Sequence, residues 1–584
     1  MERSGPLDPA GRPAIARVSG SRSSRAATCS LLLVAWLLSF IRISAQTLSG
    51  PESLARQLFE QERWQQLADL PPEAAPHSAE FAYQRGIALA HLERWDEARA
   101  SFLAGCRLAP RDKRFPLELA GVAFKQKHGS LSVAYLHRAL RLDPGDAYAH
   151  EFLATIYYLR GNTEAAVQHW NRIQKPQVAS LRSEPEPRVR PALLDHAFAF
   201  APARILGLNE LLASEARVQS LEIFPVYRFD LVARRDGTFD SVFRGQELNG
   251  WGSTWFEGLL RTFRGLPLQE VTPEYYNLNR SAINLASLVR WDPDKRRLVA
   301  SLSSPLWRDP RWHFALAADL RNENWDVLGP RGQPPLLAVN MRRDVFKAEI
   351  ARLVGARWKW STETELSHRD YRNAIPQFAL PPEMLAQGFQ IKQTLRASYE
   401  LWRSAAHRFS MSSSGAAEAA RLWSTSPQSF ERLQGALDAR WFPRARGDDF
   451  ETHGQLRAAR TFGQLSFDEL FMLGLERDND LWMHGHVGTR DGRKGSAPLG
   501  RNFILANWET DKNIYSNGFL TLKLGPLLDT GKITNASLPA FGSQKWLWDT
   551  GVQLKVRALG VQAGFSYGKD LRTGNNAFYA TVGR

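Results

Sequence analysis

The last third of the chain is a succession of short segments in which apolar and polar residues alternate. In one of them Val552, Leu554, Val556 and Ala558 form one set, and Gln553, Lys555 and Arg557 the other. Successive side chains of a strand point to opposite faces, so this segment carries one apolar and one charged surface. His313–Arg321 reads the same way, with Phe314, Leu316, Ala318 and Leu320 facing out and His313, Asp319 and Arg321 facing in. Phe519–Leu524, Val561–Tyr567 and the alternation of Phe578, Ala580 and Val582 repeat the pattern. Asp292–Lys295 and Asp370–Pro376 supply the Asp, Pro, Asn and Arg expected of turns. Two-faced strands of this kind cross a bilayer as an antiparallel β-barrel, apolar outside and polar inside. Residues 249–584 have room for a barrel of about sixteen strands of roughly ten residues each.

Residues 1–45 read as a secretory signal peptide. Arg17, Arg22 and Arg25 precede the apolar run Leu31–Phe40, and Ala45 offers a small residue for cleavage. The run is too short to span a membrane as a helix. Export places the barrel in a bacterial outer membrane, with the N-terminal domains in the periplasm. Net charge is +15; 1–45 hold six Arg against Glu2 and Asp8, which leaves +11 for the remainder. That charge is scattered as single Lys and Arg without a basic tract, which excludes nucleic acid as a partner. It suits a lumen lining and contact with outer-membrane lipid and lipopolysaccharide. A mean hydropathy of −0.35 resembles that of a soluble protein, as it must when half of each strand faces a wet lumen. Nineteen Trp and thirteen Tyr suit aromatic girdles at the two membrane interfaces. Cys29 and Cys106 are the only cysteines, and Cys29 would leave with the signal, so no disulfide framework forms.

Upstream lies a repeat. Gly86, Ala120 and Ala154 are spaced by 34 residues, Pro110 and Pro144 keep the interval, and Ala98 and Ala166 lie two intervals apart. Phe102, Leu136 and Trp170 hold the bulky position, Tyr157 also fits, and Ser132 stands where a second-helix alanine is expected. Small residues where paired helices touch, with proline after the second helix, are the tetratricopeptide signature. An all-α array of such repeats is expected over 46–175, with a partial unit near 52–72. Arrays of this kind bind peptides or partner domains in a concave groove, or act as spacers. Pro176, Pro185 and Pro187 then mark a semi-rigid linker over 176–187.

Residues 188–248 read as a small α+β module. A helical pattern from Leu208 to Leu221 leads through Phe224 into the strand Tyr227–Val232, which carries Phe229. Asp236-Gly237 turns the chain into Phe239–Phe243, and Asp-Gly between alternating runs is a hairpin signal. This order resembles a POTRA domain, the polypeptide-transport-associated module, with its first strand expected within 188–200. The resemblance implies a sheet edge that augments client or partner strands.

A POTRA-like module followed at once by a barrel resembles the outer-membrane insertase and translocase superfamily, which includes the BamA-type assembly factors and the TpsB-type two-partner-secretion transporters. In that family an extracellular loop folds into the lumen and presents an Arg in a Val-Arg-Gly-aromatic motif. Gly488-Thr489-Arg490-Asp491-Gly492-Arg493-Lys494-Gly495 stands at the corresponding distance from the end, followed by Asn507-Trp508-Glu509. The resemblance therefore implies Arg490, or failing that Arg493, as the lumen latch, held by an inward carboxylate. It implies insertion or translocation of client polypeptides, with the N-terminal domains docking a client or a periplasmic protein. The competing readings are an exporter of polysaccharide or surface lipoprotein built of repeats and a barrel, and a non-transporting barrel that anchors a periplasmic scaffold.

No enzyme is expected. Arg493 occupies the place of the second glycine of a phosphate loop, and neither H-E-x-x-H nor G-x-S-x-G occurs. His313, His368 and His453 read as isolated, and His484 and His486 share a face without an evident third ligand. No cofactor or metal is implied.

Overall fold

The computed structural model describes residues 50–328, 334–425, 427–443, 449–517, 520–543, 545–558 and 561–583. The expected signal peptide, Cys29 and Phe519 lie outside them. The chain forms two compact units, Met1–Pro144 and Gly145–Arg584.

In the first unit, helices α1 (Pro51–Glu60) and α2 (Trp64–Ala68) precede two antiparallel pairs: α3 (Ala79–His91) with α4 (Trp95–Leu108), and α5 (Arg114–Lys125) with α6 (Gly129–Leu142). Ser78 caps α3 by accepting a hydrogen bond from the Phe81 amide at 3.2 Å. The pairs pack through the small residues of the 34-residue spacing. A side chain at Gly86 would begin 2.5 Å from the Phe102 ring, so only glycine admits that ring. Ala98, Phe102 and Ala120 are fully buried. Ser132 is buried too, and its hydroxyl donates to the Ala120 carbonyl at 2.8 Å, satisfying the polar group where alanine was expected.

The second unit opens with another pair, α7 (Ala147–Leu159) and α8 (Thr163–Trp170), in which Ala154, Tyr157 and Ala166 are buried. The four-stranded sheet that follows corrects two expectations. Its first long strand is β1 (Gln177–Ser183), inside the stretch read as a linker, while Pro191–Ala197 in the range expected to hold that strand is helix α9. Prolines 176 and 185 flank β1 rather than interrupt it. Val178 is its one fully buried residue, too little to mark a strand locally, and its partner lies sixty residues on. Helix α10 (Leu208–Ser220) leads to the hairpin β2 (Val226–Ala233) and β3 (Phe239–Gln246). The sheet order is Arg204–Ile205, β1, β3, β2, with β1 parallel and β2 antiparallel to β3. Phe224, Phe229 and Phe243 form its aromatic core, the first two each 5.2 Å from Phe243. Tyr227 donates to the Glu215 carbonyl, and Asp236-Gly237 makes the expected turn. Glu247 accepts from the Arg188 and Val189 amides and from Asn277, which joins the module to the first wall strand.

Helix α11 (Trp255–Phe263) precedes an antiparallel meander. Its strands are β4 (Glu270–Val271 continued by Glu274–Leu278), β5 (Ile283–Arg290), β6 (Lys295–Pro305), β7 (Trp312–Val327), β8 (Leu337–Val354), β9 (Trp358–Pro376) and β10 (Gly388–Ser404). Then come β11 (Phe409–Trp423), β12 (Gln428–Trp441), β13 (Phe450–Gly463), β14 (Asn502–Ser516), β15 (Leu520–Thr534), β16 (Leu547–Ala558), β17 (Val561–Asp570) and β18 (Asn576–Gly583). The sheet curls until β18 neighbours β4. Fifteen wall strands are found among the described residues, where about sixteen were expected.

The alternation places side chains as read. Leu316, Leu320, Val552 and Phe565 are exposed on the outer face, while Asp319 and Gln553 are buried inside. Exposed tryptophans gather at the strand ends: Trp291, Trp423 and Trp548 toward one rim, Trp307, Trp358 and Trp441 toward the other. No helix among the described residues is long and apolar enough to cross a membrane.

Candidate functional site

The connection from β13 to β14, residues 464–501, turns inward and fills the lumen. Its apolar residues form a small core of their own against the wall: Phe467 packs on Trp325 at 5.1 Å, and Met472 and Leu499 are buried with Leu337 and Val339. Its charged residues meet the inward half of nearly every strand.

At one end, Asp468 and Glu469 enter a ring of wall cations. Asp468 pairs with Arg369 at 2.8 Å and Arg343 at 3.1 Å and accepts from the Tyr371 hydroxyl at 2.6 Å. Glu469 pairs with Arg343 at 2.9 Å and Lys392 at 3.2 Å, and Arg432 donates to its carbonyl. Glu365 and Glu418 on the wall balance the remaining charge. Arg369 and the Asp468 side chain are both fully buried. Charges so far from water hold together only when paired, and removing one partner of such a pair costs about 3–5 kcal/mol. The ring therefore fixes the loop in one register.

Across the lumen, Asp478 meets Arg290 on β5 at 2.8 Å, Arg297 on β6 at 2.5 Å and Lys494 at 2.9 Å. Lys494 also reaches Glu323 on β7 at 2.7 Å. Arg477 pairs with Glu270 at 3.5 Å, and Glu476 accepts from Thr489. Between the loop and the β7–β13 wall lies a cavity of about 520 Å³, rimmed by Arg321, Lys359, Arg396 and Arg457.

The sequence motif forms a hairpin, Thr489–Arg490 paired with Arg493–Lys494, whose Asp491-Gly492 tip has both residues at positive φ, as a tight two-residue turn requires. Period-two alternation puts Thr489 and Lys494 on one face and Arg490 and Arg493 on the other. Arg490 is exposed and makes no ion pair among the described residues. Arg493 is half-exposed, 3.2 Å from Asp326 and 3.6 Å from Asp294. The buried cation of this hairpin is Lys494, not the arginine that the resemblance implied. Asp468, Glu469 and Asp478 were also missed. The available signal was a long break in alternation with carboxylates at its start and middle.

His484 pairs with Asp529 at 2.7 Å, and His486 lies between Asp549 at 3.0 Å and Asp570 at 3.7 Å. The partners missing from the sequence reading thus come from β15, β16 and β17. Each ring nitrogen of His486 faces a different carboxylate, and His486, Asp549 and Asp570 bring one ligand atom each within 4.8 Å of one another, a spacing that could hold a metal ion. His453 is likewise not isolated; it pairs with Asp438 at 2.7 Å and Glu509 at 3.5 Å. Asn507 donates to the Trp482 carbonyl at 2.9 Å and to Asp529 at 2.7 Å, tying the loop to β14.

No protein-family model matches the chain, and no curated protein does. Solved structures resemble it at low identity. BamA from Haemophilus ducreyi lacking POTRA domains 1-3 is 12% identical with a TM-score of 0.41, over 70% of this chain and 84% of that one. CdiB from Escherichia coli is 13% identical with a TM-score of 0.46, over 70% and 76%. CdiB from Acinetobacter baumannii is 12% identical with a TM-score of 0.41, over 70% and 74%.

Proposed function

We propose that this chain is an outer-membrane protein that inserts or translocates client polypeptides, its lumen closed at rest by the 464–501 loop. The observation that carries the reading is the ring of Arg343, Arg369, Lys392 and Arg432 around Asp468 and Glu469. A permanent solute channel has no use for a loop whose carboxylates are locked to the strands around it. A conduit that opens only for a client does. In this reading Lys494, rather than Arg490 or Arg493, is the latch of its hairpin. The helix pairs act as a tetratricopeptide arm that captures a client or a periplasmic partner. The sheet of β1–β3 acts as a POTRA domain. Its β2 edge, with Val226 and Val232 exposed, is the place where an extended client strand would add.

The test is single-channel conductance of the full-length protein in planar bilayers. The variants are Asp468→Asn with Glu469→Gln, Lys494→Met and Arg490→Ala, with an unfolded model polypeptide added on the side of the helical arm. Wild type and Arg490→Ala should stay closed for most of the record, and the other two should open frequently and be blocked by the polypeptide. Continuous silence in every variant, with heat-modifiable migration confirming an intact barrel, would sink the transport reading and favour the anchored scaffold.

A further inference from the structure

The wall count sets a topological problem. The turn from β4 to β5 lies against the module, where the Arg190 amide donates to the Arg280 carbonyl and Asn284 to the Leu221 carbonyl. Strand β4 therefore runs toward the module, and the chain leaving the module at Leu248 must first climb to the far end of β4. Residues 249–268 make that climb, and they do so as helix α11 rather than as a sixteenth strand.

The helix follows the edge of β4 that β5 leaves free. At its lower end Gly250 and Tyr276 exchange two backbone hydrogen bonds of 2.9 and 2.7 Å. At its upper end the Thr272 amide and hydroxyl donate to the Thr262 and Arg261 carbonyls at 2.9 and 3.0 Å. Thr254 caps the start, accepting from the Glu257 amide. Gly258 lets the helix lie this close, since a side chain there would begin 2.5 Å from the Trp251 carbonyl.

Its two faces differ sharply. Glu257, Arg261 and Arg264, at i, i+4 and i+7, share the inward face. Arg261 is 4% exposed and pairs with Glu257 at 2.6 Å, and Arg264 pairs with Glu274 on β4 at 3.1 Å. Trp255, Leu259, Phe263 and Leu266 recur at helical spacing on the opposite face, and Trp255 is 78% exposed. Trp251, next to them, packs edge-on against Tyr275 at 5.6 Å. Tyr275 pairs across the ladder with Leu285, whose side chain belongs with Val289 and Leu298 to the exposed apolar outer face of the wall.

We propose that helix α11 is a stave of the barrel wall, standing where a strand is missing, with its apolar face in contact with lipid acyl chains. Two observations fix the occupant as lipid. The apolar face continues the outer face of β5 and β6, and every charge of the helix that is buried points the other way. The ion pairs of Glu257, Arg261 and Arg264 close the lumen behind it. Nine helical residues rise about 14 Å, so the stave covers part of the hydrocarbon thickness and leaves the rest of the β4 edge to β18. The proposal rests on the barrel facing a bilayer and not on any client.

The test uses full-length protein with Cys29→Ser and Cys106→Ser, reconstituted in phosphatidylcholine–phosphatidylglycerol vesicles. Nitroxide is placed at Leu259→Cys, Phe263→Cys, Leu298→Cys on the wall, or Asp236→Cys in the exposed turn of the module. Relaxation by oxygen over that by a water-soluble nickel chelate should be several-fold higher at 259 and 263 than at 236, and equal to that at 298. Nickel access at 259 and 263 matching 236 would overturn the proposal, as would protection from both reagents, which would mean a protein cover. If 298 itself reports water, it is the barrel reading that fails. Should the labelled variants not fold, wild type and Trp255→Phe are compared in brominated lipid. The emission that Trp255→Phe removes should be quenched by bromine and spared by iodide, and the reverse would overturn the stave.

Discussion

Lys494 and Glu215 are charged groups whose surroundings, rather than their type, decide what they do. Lys494 has two carboxylates within 2.9 Å and almost no exposure. In Lys494→Met, Asp478 keeps Arg290 and Arg297, but Glu323 loses the 2.7 Å partner that compensates its burial. The expected loss is about 3 kcal/mol, the low end for breaking a buried pair. Exposed Arg490→Ala should stay within about 0.5 kcal/mol of wild type, and equilibrium unfolding in detergent with urea compares the two. Glu215, on helix α10 outside the wall, is shifted by burial up to about 7, with Arg403 opposing the shift and Glu164 adding to it. Its folded-state value lies above the ordinary 4.5, so the native module holds a proton that the unfolded chain releases. Stability is therefore gained as pH falls through 7 and is fully present below about 4.5, amounting to at most about 3 kcal/mol. Glu215→Gln should abolish that gain and leave the module more stable than wild type at about pH 8. Hydrogen exchange across 208–220, corrected for the intrinsic rate at each pH, reads it directly. Equal pH dependence in the two proteins would show that Glu215 ionises freely.

Among the elements, the pair α3–α4 rests on a glycine meeting a ring. Gly86→Val should destabilise the first unit by about 1–3 kcal/mol, because the new side chain would overlap Phe102 and the packed helices cannot part without opening a void. Combining it with Phe102→Leu should cost less than the two singles added together, since the smaller side chain vacates the contested space. Loss of helical circular dichroism on heating, well below barrel melting, supplies the readout, and strict additivity would refute the contact. The same elements explain what could be read in advance. A 34-residue spacing of Gly86, Ala120 and Ala154 is local information repeated three times, and alternation in 552–558 is visible within seven residues. Strand β1 announces itself by one fully buried valine, because its stability comes from a parallel partner sixty residues away. Helix α11 was hidden for another reason. Its apolar and charged stripes follow the helical period, but it lies where the architecture called for a strand. The lumen ring needed the fold itself, since Asp468 and Arg369 are ninety-nine residues apart.

At the scale of the molecule, the boundary that matters falls at Pro144, not at the end of the last helix pair. Helices α7 and α8 are built into the second unit. Tyr158 donates to the Leu231 carbonyl at 2.7 Å, Asn162 to the Ala405 carbonyl at 2.9 Å, and Glu164 pairs with Arg403 at 2.9 Å. Trp170 packs at a tilt against Phe239, ring centroids 5.0 Å apart. Two truncations therefore differ in kind. Removing 50–144 takes away whole helix pairs and should leave both the heat-modifiable migration of the barrel and the protease resistance of 177–248 as in the full chain. Removing 50–187 also takes β1 from the sheet. Strand β3 would lose its parallel partner, Phe239 and Phe243 would lose cover, and Arg244 would lose Glu184, with which it pairs at 3.0 Å. An exposed central strand with apolar side chains is both floppy and prone to pair with other chains. The second truncation should therefore be cut by trypsin within 188–248, where Arg217, Arg228 and Arg244 supply sites, while its barrel still migrates as folded. Equal resistance in the two truncations would mean that the module stands without β1, and the boundary would then belong at 187.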